Sequence, residues 1–220
     1  MGECFGKQKM KCAFSELKIE RGFDMLVFKR YTYYDLECMR VKNQMMPVQT
    51  SETWARWICK ITAATCAYCA SQHGCIIDRK DPNTLWPPVH ENCRCKTVAV
   101  PALLAGTATE DGLVGVDYYL FVHGCLPENY MTQTEAKIRG WKQYKGNLWD
   151  VLPGIVIGGE EYLNFDGRLP SAPGRIWYEA DFDYDGGYRN GKRILFSNDG
   201  LMFATYDHYL TFFEVYWEEL

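Results

Sequence analysis

The feature that most limits how this chain can fold is a series of glycine-containing turns near its end. Four such turns separate short strand-like runs: Asp166-Gly167, Asp185-Gly186-Gly187, Asn190-Gly191 and Asp199-Gly200. Asp-Gly and Asn-Gly pairs favour the positive φ values that tight hairpin turns need. The pattern predicts a β-meander, in which consecutive strands pair antiparallel, after about Gly154.

The residues before the meander show helical patterns. Apolar residues recur on one helical face over residues 112–123. Thr132 and Glu135 form a capping box, which opens a second helix that ends near Gly140. Asn147 is the predicted N-cap of a third short helix. Helices followed by a meander indicate an α+β fold, with the helices packed on one face of a five-stranded antiparallel sheet.

Charge and cysteine content both change near the middle of the chain. Residues 1–110 contain 15 Lys and Arg against 11 Asp and Glu, whereas residues 111–220 contain 9 against 17. Nine of the ten cysteines precede residue 100. This asymmetry indicates two units with different roles. The acidic second unit argues against generic nucleic-acid binding, which usually uses a basic surface.

These changes divide the chain into four predicted segments. Residues 1–50 are unassigned, and residues 51–97 are a Cys/His-rich segment that begins with a short helix over residues 53–64. Residues 98–109 are small and uncharged and are predicted to be a linker, and residues 110–220 form the second domain. No apolar run reaches the roughly 18 residues that span a bilayer, and the N-terminal residues lack the apolar region of a secretory signal peptide.

The Cys/His-rich segment contains Cys66-x2-Cys69 followed by His90-x2-Cys93-x-Cys95. Two cysteines separated by two residues can point at one ion, and Cys/His sets of this kind suit a closed tetrahedral zinc site. We expect structural zinc on four of these five residues, and the spacing does not rank Cys93 against Cys95. The alternative is a set of reduced thiols without a metal.

The same segment resembles the C-terminal Cys/His part of phage head-morphogenesis (minor head) proteins. The matching residues are Cys66-Ala-Tyr-Cys69, Gly74, Pro87-Pro88, His90 and Asn92-Cys93-Arg94-Cys95. The long helical part of that family is absent. The resemblance implies an association with phage head components.

The meander contains the side chains that metal-free RNA cleavage requires. Such cleavage needs a base for the ribose 2′-OH, an acid for the 5′-oxygen and cations for the phosphate. A hairpin centred on Asp185-Gly186-Gly187 would place Glu179 opposite Arg193. Arg189 lies in the connecting loop, and His208 follows the next hairpin. The alternative for Glu179 and Arg193 is an ordinary surface ion pair.

Residues 126–216 resemble the barnase-like family of bacterial guanyl-preferring ribonucleases. The matching runs follow the family order: Leu126-Pro127, Asn129-Tyr130, Gly140-Trp141, Lys145-Gly146-Asn147-Leu148, Ile157-Gly158-Gly159, Gly174-Arg175, Glu179-Ala180-Asp181, Arg189, Arg193-Ile194-Leu195 and Asp207-His208-Tyr209. The resemblance implies cleavage of single-stranded RNA to a 2′,3′-cyclic phosphate, 3′ of guanosine, followed by hydrolysis. It implies no cofactor for catalysis and an active site on the sheet face opposite the helices.

The resemblance also assigns roles to individual residues. Glu179 would be the general base and His208 the general acid, while Arg189 and Arg193 would hold the scissile phosphate. The substrate-binding residues would be Tyr209, which lines the site, and the loop that reads guanine, formed by Asn164, Phe165 and Asp166.

This chain departs from the family pattern at three positions. Gln133 stands where the family has a Lys, and Lys137, one helical turn later, is a candidate substitute. Phe165 replaces a family Arg and can stack on a base but cannot contact a phosphate. Asp166 replaces a Glu. These departures predict weaker RNA binding and reduced activity.

Three functions are compatible with these patterns. The first is a toxin or effector, secreted or phage-delivered, that acts in the target-cell cytoplasm and is blocked by a cognate barstar-like immunity protein. The second is a phage structural protein whose C-terminal fold serves only for interaction. The third is a zinc-dependent nucleic-acid-binding module in the first half. The presence of the four catalytic candidates together favours the first.

Overall fold

The computed structural model describes residues 49–217, so the unassigned segment lies outside the described residues except at its end. Nine strands are present in this range: β1 (Gln49–Cys59), β2 (Ile76–Asp78), β3 (Cys95–Leu104), β4 (Tyr130–Met131), β5 (Val156–Tyr162), β6 (Trp177–Asp181), β7 (Arg193–Ser197), β8 (Met202–Thr205) and β9 (Phe213–Tyr216). The α-helices of this range are short: α1 (Ala67–Ser71), α2 (Val116–His123), α3 (Gln133–Ile138) and α4 (Leu148–Val151). None of the described helices is long and apolar enough to cross a membrane.

All nine strands form one sheet, in the order β2-β1-β3-β9-β8-β7-β6-β5-β4. From β5 to β9, each strand pairs antiparallel with the next strand in the chain. The sheet extends beyond these five, because β4 pairs parallel with β5 and β3 pairs parallel with β9. The architecture is therefore α+β with a large mixed sheet rather than a five-stranded antiparallel one.

Two predictions for the first half are wrong. The predicted helix over residues 53–64 is mainly strand β1, which pairs with β2 on one side and β3 on the other. The predicted linker over residues 98–109 begins as the rest of β3 and lies inside the sheet. Its remaining residues are also fixed, because the buried carboxylate of Asp117 accepts hydrogen bonds from the amides of Gly106 and Ala108 at 2.7 and 3.0 Å.

The predicted helices of the second half are present but shorter. A 3₁₀ turn and α2 share residues 112–123 and are separated by an extended Gly115. A Cβ at Gly115 would lie 1.9 Å from Thr109 Oγ1, so the close packing there requires glycine. The capping box at α3 is confirmed, since Thr132 and Glu135 exchange side chain-to-backbone hydrogen bonds. Asn147 precedes α4, but its side chain accepts from the amide of Lys142 instead of capping the helix.

Apolar side chains cover both faces of the sheet. On one face, α2 packs through Val116 and Leu120 against a cluster that includes Ala180 and Ile194. The other face carries a second cluster: Trp54, Ile76, Val100, Leu169, Trp177, Leu195, Phe203 and Phe212. Successive residues of a strand point to opposite faces. Glu179 and Arg193 therefore share the face of the second cluster, opposite α2.

Candidate active site

Strands β6 and β7 carry the candidate carboxylate and one of the candidate cations. Glu179 in β6 lies opposite Leu195, and Arg193 in β7 lies opposite Asp181. The predicted direct pairing of Glu179 with Arg193 is thus wrong by two residues. A shift of two keeps both side chains on one face as diagonal neighbours, roughly 7–8 Å apart by strand geometry.

Asp181 holds both candidate arginines. Arg189 Nε and Nη2 each donate to its carboxylate at 2.6 Å. Arg193 Nε lies 2.9 Å from Asp181 Oδ1 as an ion pair without hydrogen-bond geometry, and Arg193 Nη1 donates to the carbonyls of Asn190 and Lys192 at 2.9 and 2.6 Å. Within the described part of the chain, Nη1 of Arg189 and Nη2 of Arg193 have no such partner. One terminal nitrogen of each arginine can therefore donate to a phosphate.

Glu179 has a hydroxyl partner. The phenol of Tyr209 donates to Glu179 Oε2, and the Tyr209 ring stacks on that of Tyr162 with centroids 5.3 Å apart. Burial, followed by this hydrogen bond, raises the pKa of Tyr209. The phenol therefore stays protonated and orients the carboxylate.

His208 is exposed on the loop between β8 and β9. Both His208 and Tyr209 have positive φ values, 56° and 69°, a backbone conformation that is uncommon for residues other than glycine. The amide of His208 donates to the carbonyl of Gly191 at 3.1 Å. This bond places the histidine beside the segment that leads into β7.

Asp207 stabilises the conformation of this loop. Its carboxylate accepts from the amides of Leu210 and Thr211 and from the hydroxyls of Thr205 and Thr211, at 2.6 to 3.1 Å. Burial alone would raise the pKa of Asp207, but these hydrogen bonds outweigh it and lower the pKa below its ordinary value. An ionised Asp207 therefore fixes the backbone that carries His208.

The predicted guanine-reading loop is closed by its own first residue. The Asn164 amide donates to the carbonyl of Leu169 and accepts from its N–H, at 2.9 and 3.0 Å. Phe165 is 91% exposed at the tip. Asp166 pairs with Arg168 at 2.8 Å. Asn164 thus shapes the loop, and Phe165 is free to contact a ligand.

Helix α3 begins beside the candidate base. The amide and hydroxyl of Thr134 both donate to Glu160 Oε1 at 3.3 Å, and Glu160 lies opposite Glu179 in the sheet. Glu160 and Glu179 are therefore cross-strand neighbours, and Gln133 directly precedes the residue that binds Glu160. The ammonium of Lys137 lies 6.0 Å from the Trp141 ring, so this candidate substitute contacts its own helix end.

The five candidate metal ligands are also brought together, in two overlapping groups. Cys66, Cys69 and His90 form one, and Cys69, Cys93 and Cys95 form the other, with the donor atoms of each group within 4.8 Å of one another.

The sequence interpretation gave no role to Asp181 or Glu160. Asp181 could have been found, because it lies two residues after Glu179 and so shares its strand face. Glu160 gave no such signal. Its position opposite Glu179 depends on an irregular register between Gly158 and Glu160.

A carboxylate, two arginines and a histidine are the groups that enzymes use to cleave a phosphodiester without a metal ion, and the comparisons with known proteins assign the class of enzyme, a ribonuclease. A family model for ribonuclease matches residues 117–216. The chain is 50% identical over 98 residues to a ribonuclease of Heyndrickxia coagulans. The matched segment covers 44% of this chain and 90% of that protein. Ribonucleases of Bacillus intermedius and Bacillus pumilus are also 50% identical over 98 residues, which span 60% of their lengths.

The chain belongs to the ribonuclease family. Catalysis in this family is independent of metal ions. The family match does not include residues 51–97, which carry the Cys/His groups.

Proposed function

We propose that this protein is an endoribonuclease that cleaves single-stranded RNA to a 2′,3′-cyclic phosphate and then hydrolyses it. The observation that carries the proposal is the strand face that Glu179 shares with Arg193. The loop residue Arg189 joins them, because Asp181 pairs with both arginines. His208, on a fixed loop next to Gly191, completes the set.

The residues divide the reaction between them. Glu179 takes the proton of the ribose 2′-OH, and the resulting oxygen attacks the phosphorus. Arg189 and Arg193 stabilise the charge on the pentacoordinate phosphate. His208 protonates the 5′-oxygen as it leaves. In the hydrolysis step the roles reverse: His208 takes a proton from water, and Glu179 returns one to the 2′-oxygen.

Guanosine preference is the second part of the proposal. The loop at Asn164–Asp166 offers an exposed ring for stacking and the backbone amides of Phe165 and Asp166 for the base edge. Within the described residues these two amides make no hydrogen bond. The Asp166 carboxylate already pairs with Arg168 and is less available to the base. The guanosine preference should therefore be weaker than in relatives with a longer carboxylate at this position.

A ribonuclease that acts on cytoplasmic RNA is toxic wherever it folds, and this supports a role as a toxin or effector. We propose that it is delivered to the cytoplasm of a target cell and that a cognate immunity protein of barstar-like, acidic character covers the active-site face. Acidic side chains would pair with the free nitrogens of Arg189 and Arg193. Cytosolic expression should stop growth, and Glu179→Ala should abolish that effect.

The deciding experiment measures RNA cleavage by the full chain, first without added divalent cations and then with EDTA. Glu179→Ala and His208→Ala should each lower the rate by about 10²–10⁴-fold. Glu161→Ala removes an exposed carboxylate from the neighbouring strand position and should leave the rate unchanged. Equal rates in the wild type and in Glu179→Ala would refute the assignment of the base.

A further inference from the structure

The Cys/His groups outside the active site have the spacing of a metal centre. Cys66 Sγ and Cys69 Sγ lie 3.3 and 3.1 Å from His90 Nε2, and the Sγ atoms of Cys69 and Cys93 are 3.8 Å apart. With bonds of about 2.3 Å to sulfur and about 2.0 Å to nitrogen, ligands of tetrahedral zinc lie about 3.5–3.8 Å from one another. A disulfide would need about 2.05 Å between sulfurs.

The local hydrogen bonds prepare two of these side chains for a cation. His90 Nδ1 lies 2.8 Å from the carbonyl of Glu91. A carbonyl only accepts, so Nδ1 carries the proton and Nε2 presents its lone pair toward the sulfurs. Cys66 Sγ accepts from the amide of Cys69 at 3.4 Å. An N–H directed at sulfur favours the thiolate, which is the form that binds zinc.

The structure also separates the two cysteines that the spacing left equivalent. Cys95 belongs to β3 and lies directly opposite Cys59 of β1. Its Sγ joins the group of Cys69 and Cys93 but not the group of Cys66 and His90. Cys93 precedes the strand and faces Cys69. We propose that Cys66, Cys69, His90 and Cys93 bind one structural zinc ion and that Cys95 is not a ligand.

A zinc ion bound here would cross-link a segment of the chain that has little regular secondary structure. Residues 60–94 contain only the five residues of α1 and the three of β2 as regular elements. Four protein ligands leave no open position on zinc, so the site serves folding and not chemistry. Metal binding of this kind contributes directly to the stability of the segment that it closes.

The test uses the purified full chain, loaded with Zn²⁺ or Co²⁺ alone. We expect about one zinc ion per chain and, with Co²⁺, the absorption of tetrahedral thiolate coordination. Cys93→Ser should lose the metal, whereas Cys95→Ser and the outlying control Cys125→Ser should keep it. His90→Cys should still bind Co²⁺, and its spectrum should shift toward that of four thiolate ligands. This variant tests the ligand set even if Cys93→Ser fails to fold. No metal in the wild type, or retention by Cys93→Ser with loss from Cys95→Ser, would overturn the assignment.

A second, independent observation concerns the loop that carries His208. Its amides face Asp207, but the carbonyls of Tyr209 and Leu210 accept from Arg168 and Arg56, each at 2.8 Å. Arg168 belongs to the second half, and its own carbonyl accepts from the amide of Ile76 in β2 at 2.8 Å.

Arg56 comes from β1, outside the residues that the family model matches. Its Nε is buried without a hydrogen-bond partner, and burial, followed by the charge of neighbouring Arg168, lowers its pKa. A hydrogen bond to a carbonyl stabilises a partly desolvated guanidinium more than a fully solvated one. We infer that Arg56 is a positioning residue, through which the N-terminal strands hold the His208 loop in its active conformation.

This inference rests on the proposed function, so its test includes a measurement that needs no RNA. Arg56→Ala should raise amide hydrogen exchange at Leu210 and Thr211 by about tenfold or more, as expected for the loss of a charged hydrogen bond. It should lower kcat more than it changes KM, and Arg56→Lys should restore part of kcat. Lys60→Ala, near the end of β1, is the control. Unchanged exchange in Arg56→Ala would overturn the inference. If Arg56→Ala increases exchange but the wild type does not cleave RNA, the inference about the loop stands and only the ribonuclease activity is refuted.

Discussion

At the scale of single residues, Asp181 organises the active-site cations. It is 1% exposed and pairs with two arginines whose side chains are 10% and 4% exposed. Removing one member of a buried ion pair leaves its partner without compensation. Asp181 therefore sets both the stability of this region and the direction of the arginine nitrogens that are left for substrate.

Asp181→Asn should lower the free energy of unfolding by about 3–5 kcal/mol, because two buried guanidinium groups lose their counter-charge. Urea unfolding measures this. Asp199→Asn is the matched control, since Asp199 also pairs with an arginine but has a 44% exposed side chain. Its cost should stay below about 1 kcal/mol. Equal losses in the two variants would contradict the role given to Asp181.

Gln133→Lys should raise kcat/KM by about tenfold, equivalent to about 1.4 kcal/mol of transition-state stabilisation. The new ammonium would be attached one residue before Thr134, which binds Glu160 opposite Glu179, and would add positive charge to that part of the site. Steady-state cleavage of a short oligoribonucleotide gives the ratio. Lys137→Gln should have no effect, because Lys137 contacts Trp141. A drop in that variant would show that Lys137 already serves the site.

The hairpin argument correctly put Glu179 and Arg193 on one strand face, but not in their register. The turn rule assumed a tight hairpin centred on Gly186. The segment between Asp181 and Arg193 is instead a long loop, closed by Asn190, whose side-chain amide donates to the carbonyls of Phe182 and Asp183. Loops of this length do not impose the register that a two-residue turn does.

At the scale of elements, β1 and β3 show why local patterns failed in the first half. Trp54 and Trp57 are three residues apart, which fits a helical face as well as a strand covered on both sides. Pro101 is a residue type that central strands rarely contain, but here it lies where the β1–β3 register shifts. Both strands depend on partners far along the chain, and no local pattern contains that information. The capping box of α3 was predictable because all its bonds are local.

Trp54→Ala should lower the free energy of unfolding of the ribonuclease part by about 3–5 kcal/mol, as for other large buried aromatics. Trp54 is 5% exposed and contacts Phe203 of β8, with ring centroids 6.0 Å apart. Thermal or urea unfolding of the full chain provides the measurement. Trp86→Ala, at a side chain that is 40% exposed, should change little. An unfolding curve that Trp54→Ala leaves unmoved would mean that the N-terminal strands do not stabilise the catalytic sheet.

At the scale of the whole molecule, the acidic second half limits how RNA can bind. The proposed mechanism uses two arginines as phosphate contacts, and each single-strand contact adds about −0.7 to the slope of log affinity against log salt. Binding of a non-cleavable oligonucleotide should therefore show a slope of about −1.4. Titrations at several salt concentrations measure it. A slope steeper than about −3 would mean that the basic first half also contacts RNA.

The order of strands has a consequence for how these molecules behave when crowded. The sheet ends in its two shortest strands, β2 with three residues and β4 with two. Beside β2, the exposed edge of β1 is occupied by backbone bonds from Gly74 and Arg79. Long open edges are where sheets of neighbouring molecules join. Within residues 49–217, β3 pairs with β9 and so covers the edge that β9 would otherwise expose, and only short strands are left at the two ends of the described sheet.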